Sequence, residues 1–358
     1  MIGWRRLLVL ALLATTPAHA DTVAGIEKAW RDWFARHERT TGGIVVLHKG
    51  KVVHEATAGR LTTAASVPLA SLSKAITGVC TATLIQQGKL GFETTVGQAL
   101  RSTLARLGPP ADERVRGVTI GQLLTHRAGY SRSSDDPDPT TGPLGKYLAS
   151  ATAKDPAADA QLRLLLPRKL ALRPGERYAY TNSVYLLLGA AIEEATGQAY
   201  ESYCRQAVLA PLGAAASAQL TPDWRILWSY GGWTMSLADY GRFYQAFARD
   251  NPILGADVRR WMMSPAAKEV GDGYHYGLGT DVRPGGGDAI FWHGGRWTFS
   301  LGNAYDGPLR ASHSTWAVRW GNRDVNVVVY TEPATAGPMR GELDRALSAA
   351  VAAVKRWP

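Results

Sequence analysis

The stretch Pro68-Leu-Ala-Ser71-Leu-Ser-Lys74-Ala-Ile-Thr77 decides how the rest of the chain is read. It leads from a proline into an apolar helical pattern over Ala75 to Gln87 that stops at Gly88. Ser71 and Lys74 stand at i and i+3 of the first turn, so a hydroxyl and an amine share one face within reach of each other. A serine oxygen is a poor nucleophile at neutral pH unless a neighbour takes its proton. A lysine kept neutral by burial or by nearby positive charge can do so, and the helix N-terminus favours the developing negative charge. Ser73 lies beside Lys74 and points elsewhere. On spacing alone the same residues also describe an ordinary capped helix start.

Working outward, Val23 to Arg39 has Ile26, Trp30, Trp33 and Phe34 on one helical stripe, as expected of a helix lying on a sheet. Ile44 to Leu47 and Lys51 to His54 flank His48-Lys49-Gly50, a β-hairpin signal. The tail gives two more strands, Ser314 to Trp320 and Val325 to Tyr330, then a helix from about Gly341 to Val354. Between Pro68 and about Asp250 the pattern is helical, over Val118 to Thr125, Ser183 to Thr196, Tyr200 to Leu209 and Leu237 to Arg249. The expected fold is α/β (α+β), an antiparallel sheet with strands from both ends, flanked by terminal helices and carrying an inserted, mostly helical lobe. The sheet lobe takes 21–66 and 270–358, the helical lobe 67–269, with a cleft where they meet. Ser131 to Pro143 reads as a loop; its acidic run lacks the spacing and glycine of an EF-hand, so a solvated turn is expected and no metal.

Composition narrows the function classes. The 358 residues are 46% hydrophobic and 20% charged, the balance of a globular protein. Met1 to Ala20 has Arg5 and Arg6, an apolar run from Leu7 to Ala14 and Ala18-His19-Ala20, the pattern of a secretory leader cleaved after Ala20. The run is too short to span a bilayer, so no membrane span is expected, and the address is the periplasm or outright secretion. The net charge of +10 is spread along the chain without a Lys/Arg block, which speaks against a nucleic-acid partner. Cys80 and Cys204 are the two cysteines; they read as buried thiols, although an oxidising compartment also permits a bridge.

Two further signals join the first. Leu172 to Gly189 contains Tyr180-Thr-Asn182, a phenol and an amide two apart before a buried helix, and Phe291-Trp-His293-Gly294-Gly295-Arg296 places a histidine and two glycines at the end of a strand. With S-x-x-K, these resemble the branch of the serine β-lactamase and penicillin-binding superfamily whose second motif is Y-x-N: class C β-lactamases, D-alanyl-D-alanine carboxypeptidases, D-aminopeptidases and related esterases. Gly88-Lys-Leu90, Val118 to Gly129, Ala210-Pro-Leu-Gly213, Gly231 to Tyr240 and Tyr276-Gly-Leu-Gly279 resemble further landmarks in the family's order, so the resemblance covers nearly the whole mature chain.

The resemblance implies a class C β-lactamase-like fold and an acyl-enzyme mechanism without metal or organic cofactor. Ser71 would attack an acyl carbon, Lys74 and Tyr180 would manage protons, and Asn182 would hold the substrate's amide or carbonyl. His293, with Gly294 and Gly295, would fill the third motif, and the backbone N–H groups of Ser71 and Arg296 would form the oxyanion hole. That third motif departs from Lys-Thr-Gly: a permanent ammonium gives way to a histidine and a hydroxyl is missing. Efficient β-lactamase activity is therefore not expected. Arg296 offers a guanidinium that could take a substrate carboxylate instead. His126 and Thr125 are expected to fix a loop, and Trp224, Trp228, Trp233, Trp292 and Trp297 to serve packing or an aromatic pocket. The implied function is a serine hydrolase of a small-molecule ester or D-amino-acid peptide or amide, with a penicillin-binding carboxypeptidase, a weak β-lactamase and an inactive wall-peptide or partner-binding module as alternatives.

Overall fold

The computed structural model describes residues 22–131, 157–264, 269–286, 288–305 and 307–358, with backbone alone at 157, 299–305 and 307–310. The expected leader, and the expected loop apart from Ser131, lie outside the described residues. Strands β1 (Thr41–His48) and β2 (Lys51–Ala58) form the N-terminal hairpin. β3 (Val67–Pro68) and β4 (Thr234–Met235) make a small separate pair. β5 (Glu269–Gly271), β6 (Tyr274–Gly277), β7 (Thr280–Gly285), β8 (Asp288–Tyr305), β9 (Gly307–Trp320) and β10 (Val325–Glu332) follow. The main sheet is antiparallel in the order β2-β1-β10-β9-β8-β7-β6-β5. β1 lies against β10, with Ile44 opposite Val329 and Val46 opposite Val327, so the two ends of the chain meet in mid-sheet.

Strand residues alternate between faces, and each face here is covered. Ile44, Val46, Val318, Val327 and Val329 turn to the terminal helices Val23–Arg36 and Gly337–Ala353, meeting Ile26, Trp30, Trp33, Leu343, Leu347 and Val351. Burying each of these large side chains contributes about 1.5–3 kcal/mol. Val45, Leu47, Ala317, Val328 and Phe291 turn the other way, into the larger core with the helices Ser73–Gln86, Asn182–Thr196 and Leu237–Phe243. Double coverage explains why β1 and β10 are almost unbroken apolar runs.

Four expectations are corrected. His293-Gly294-Gly295 does not end a strand; β8 continues to Tyr305 because its hydrogen-bonded pairing with β9 continues across the glycines. The Tyr200 helix closes at Cys204 and passes into a wider π turn over Arg205–Leu209, and the Leu237 helix ends at Phe243 in a tight turn over Tyr244–Phe247. Cys80 and Cys204 are bonded to each other, with Cα atoms 5.5 Å apart in the buried contact between two helices. A separation of 124 residues carries no information about that proximity, which packing creates.

Candidate active site

The Ser73–Gln86 helix is entered through a tight turn, Ala70–Leu72, in which Ser71 is half-buried while its neighbours are buried. Ala70 is held at φ 49°, a left-handed conformation that costs a residue with a Cβ roughly 1–2 kcal/mol. Surrounding contacts fix the turn: Thr315 of β9 donates from Oγ1 to the Leu69 carbonyl at 2.8 Å, and the Leu69 amide donates to the Trp233 carbonyl at 2.9 Å. Ser73 is fully buried and accepts from the Trp233 amide at 3.2 Å, so it does point away.

Lys74 is fully buried, and its Nζ lies 3.1 Å from Ser71 Oγ, 2.8 Å from Asn182 Oδ1 and 2.7 Å from the Tyr230 carbonyl oxygen. Asn182 opens the Asn182–Thr196 helix, whose preceding Thr181 caps the Ser183 amide through its hydroxyl. The Tyr180 ring centre is 5.1 Å from Lys74 Nζ. Behind it, His126 sits 4.3 Å from the Tyr180 ring and accepts the Thr181 amide on Nδ1 at 3.3 Å, while the His126 carbonyl accepts the Ala179 amide. His126 thus holds the loop that delivers Tyr180 and Asn182, and Thr125 bonds back to the Gly121 carbonyl.

The third motif approaches along β8. β7 pairs with β8 only as far as Trp292, so from His293 onward β7 no longer claims that edge. Gly295 lies against the Ser71 turn so closely that a Cβ there would stand 2.5 Å from the Leu69 oxygen and 3.0 Å from Ala70 Cβ. His293 is buried, with Nε2 2.9 Å from the Tyr276 hydroxyl and its ring 6.1 Å from that of Tyr180. Burial first, then the charges of Lys74 and Arg340, push its pKa down to about 3. Gly294 faces the other side, where a Cβ would collide with Arg340 Nη1 and press on Trp316. Arg296 is exposed, and strand alternation puts its side chain on the face of Gly294 and Trp292, opposite that of His293.

The predicted residues Ser71, Lys74 and Asn182 are thus in direct contact, Tyr180 lies beside them, and His293, Gly295 and the Arg296 backbone run past them on β8. Sequence reading missed three participants. The Tyr230 carbonyl sits one residue before the Gly231 landmark; Tyr276 stands inside Tyr276-Gly-Leu-Gly279, quoted without a role; Arg340 carries no sequence signal. Of the tryptophans, Trp228 and Trp233 are core, Trp233 donating to the Tyr200 hydroxyl at 2.8 Å. Trp292 lies on the outer face against Tyr274 and Arg283. Trp297 shares the face of His293 and reaches the Gly231 carbonyl at 3.4 Å.

Among the described residues no cluster of metal-ligating side chains occurs and no helix is long and apolar enough to cross a membrane. The Beta-lactamase family model matches residues 23–309. The putative fimbrial assembly protein FimD, serogroup D, of Dichelobacter nodosus is 32% identical over 134 residues, 37% of this chain and 30% of that protein. Penicillin-binding protein 4* of Bacillus subtilis is 30% identical over 176 residues, 48% of this chain and 35% of that protein. The chain thus spans about a third of the length of these curated relatives. Among solved structures, the octameric penicillin-binding protein homologue from Pyrococcus abyssi superposes with TM-score 0.69 at 19% identity, over 92% of this chain and 77% of that one. A D-stereospecific amidohydrolase from Streptomyces sp. gives 0.70 at 16%, over 90% and 97%. EstCE1, a hydrolase with promiscuous acyltransferase activity, gives 0.69 at 17%, over 93% and 100%. At such identities these structures speak for the fold, while the family match takes in most of the chain and all three motifs. The chain belongs to the Beta-lactamase family.

Proposed function

We propose that the protein is an exported serine hydrolase that forms an acyl-enzyme on Ser71 and cleaves an ester or a D-amino-acid amide or peptide bond. The observation that carries this reading is the set of partners around Lys74 Nζ. Among them, Asn182 Oδ1 and the Tyr230 oxygen are carbonyl oxygens, which only accept, and Ser71 brings a hydroxyl. In its free-amine form Lys74 gives one N–H to Asn182 and one to the Tyr230 carbonyl, leaving its lone pair for the serine proton. As that proton moves to Lys74, Ser71 Oγ bonds to the acyl carbon and the carbonyl oxygen gathers charge against the Ser71 and Arg296 amides. The C–O or C–N bond then breaks as Tyr180 passes its proton to the leaving group and is reprotonated by the serine proton held on Lys74. Water attacks the ester so formed, gives its proton back through the same groups and frees Ser71. The cleft lies between the sheet lobe and the helical lobe, with Asn182 holding the substrate's amide or carbonyl.

The third motif favours an ester or amide over a β-lactam, because a neutral His293 and Gly294 supply neither the ammonium nor the hydroxyl of Lys-Thr-Gly. The Cys80–Cys204 bond supports export, since such bonds persist in oxidising compartments. The test is initial rates on a short-chain p-nitrophenyl ester, a D-amino-acid amide, a D-Ala-D-Ala peptide and a chromogenic cephalosporin, each beside Ser71→Ala. Turnover of the ester or the D-amide, reduced by roughly 10³-fold or more in the variant, is the expected result. Stable acylation by labelled penicillin would move the reading to a carboxypeptidase. Tight ligand binding indifferent to Ser71→Ala, with no turnover, would replace it with a binding module.

A further inference from the structure

A file of buried polar groups crosses beneath the cleft from the helical side to the sheet. The Tyr185 hydroxyl donates to the Leu124 carbonyl at 3.2 Å and is also hydrogen-bonded to Tyr276. The Tyr276 hydroxyl in turn lies 2.9 Å from His293 Nε2. Tyr185 is one turn after Asn182 on the same helix, so the file ties the second motif to the third. Tyr185, Tyr276 and His293 are all buried, so water does not offer alternative partners.

The order of protons along this file follows from counting them. A carbonyl oxygen can only accept, and a phenol has one proton. The Tyr185 proton is committed to Leu124, so Tyr276 must donate to Tyr185. The Tyr276 proton is then committed as well, and the remaining bond must be donated by His293. We propose that Tyr276, ordered by Tyr185, is a positioning residue that fixes His293 as a neutral imidazole with its proton on Nε2 and its lone pair on Nδ1. Nδ1 has no hydrogen bond of normal geometry among the described residues, and the Gly294 backbone beside the ring is the rival site for the proton.

The groups facing His293 act in the same direction. Tyr276 approaches from β6, Tyr180 from the loop before Asn182, Lys74 from the catalytic helix and Arg340 from the C-terminal helix across the sheet. Burial opposes a second proton on the ring, and so do Arg340 and any proton that Lys74 takes from Ser71. A third motif that stays uncharged offers no ion pair to a carboxylate beside the scissile bond, so specificity turns toward acyl donors that lack one. This consequence for specificity rests on the catalytic reading above; the proton order does not.

The tautomer can be read directly. In protein carrying ¹⁵N-labelled histidine, long-range ¹H–¹⁵N correlations report which ring nitrogen bears the proton, and the signals lost in His293→Gln identify the residue. The expected spectrum has a protonated Nε2, a bare Nδ1 and no titration between pH 5 and 8. Tyr185→Phe releases the Tyr276 proton to point at Nε2. The histidine proton then moves to Nδ1 and the two nitrogens exchange character, although the substituted residue touches neither. A wild-type proton on Nδ1 toward the Gly294 carbonyl, titration within that range, or a Tyr185→Phe spectrum identical to wild type would each overturn the proposal. The wild-type spectrum decides the matter even if a variant fails to fold. Turnover that survives Ser71→Ala would sink the catalytic reading and leave this spectrum as it is.

Discussion

At the scale of single residues, the proposed chemistry gathers on one amine. Lys74 is fully buried with three oxygens around it, so its removal acts on rate and stability through different partners. Lys74→Met keeps the chain length and deletes the donors. The loss of a general base should lower kcat/KM on the preferred ester by about 10²–10⁴-fold. The same change takes the Lys74 donor away from the buried Asn182 and Tyr230 oxygens, at up to about 1–3 kcal/mol for each, so the urea midpoint should fall as well. Steady-state rates and a urea titration of one variant separate the two effects; undiminished turnover would remove Lys74 from the mechanism. The candidates Ser71, Lys74, Tyr180 and Asn182 stand out in sequence because each pair is spaced by two or three residues, while packing across 108 positions brings Asn182 to Lys74. The Tyr230 carbonyl does not stand out, because a backbone atom has no residue signature. Arg340 was hidden for a different reason: it enters through the space left by Gly294, a contact between segments 46 positions apart that no pattern encodes.

At the scale of elements, the Ser73–Gln86 helix is seated by close backbone approach rather than by side-chain bulk. Gly78 lies on the helix against the Leu278 carbonyl, with which an added Cβ would collide. Gly279, at φ +80°, brings its own backbone against the Lys74 carbonyl in the same way. The turn between β6 and β7 therefore presses on the helix within one turn of the reacting amine. Gly78→Ala should cost about 2–4 kcal/mol, because the obstacle is main chain that cannot swing aside. It should also lower kcat more than KM, since it shifts Lys74 relative to Ser71 while leaving the binding strand in place. A variant with unchanged melting temperature and rate would show that the helix can slide and that the Leu278 backbone does not fix its seat. The elements themselves were mostly legible: the hairpin, the terminal helices and the helix after Asn182 follow from period 2 and period 3.6 patterns that burial on one or both faces enforces. The length of β8 was not, because paired glycines read as a strand end when the pairing partner that carries the strand past them cannot be seen. Helices that pass into π or tighter turns, at Arg205 and Tyr244, keep the same apolar pattern and so look longer than they are.

At the scale of the whole molecule, buried titratable groups make stability depend on pH in two opposing ways. His293 and His313 are both buried, and burial holds their pKa values down at about 3 and about 4. The unfolded chain binds their protons near pH 6.5, so between that value and the folded pKa the unfolded state carries more protons and stability falls as pH falls. At pH 5 the loss is about 2 kcal/mol for each group. Asp281 works with the opposite sign: burial lifts its carboxyl to about 7, partly offset by Arg340, so the folded state holds a proton that the unfolded state releases above about 4. Its contribution declines as pH rises from about 4 to about 7 and stays low beyond. Asp281→Asn removes that dependence, and should raise the melting temperature at pH 8, by on the order of 1–3 kcal/mol of stability, while leaving it close to wild type at pH 4. Melting curves of both proteins from pH 4 to 8 test the two signs together. An Asp281→Asn curve flat between pH 7 and 5 would mean that the histidines bind protons alike in the folded and unfolded chain, and a wild-type-to-variant gap of equal size at pH 4 and pH 8 would mean that burial does not raise the Asp281 carboxyl.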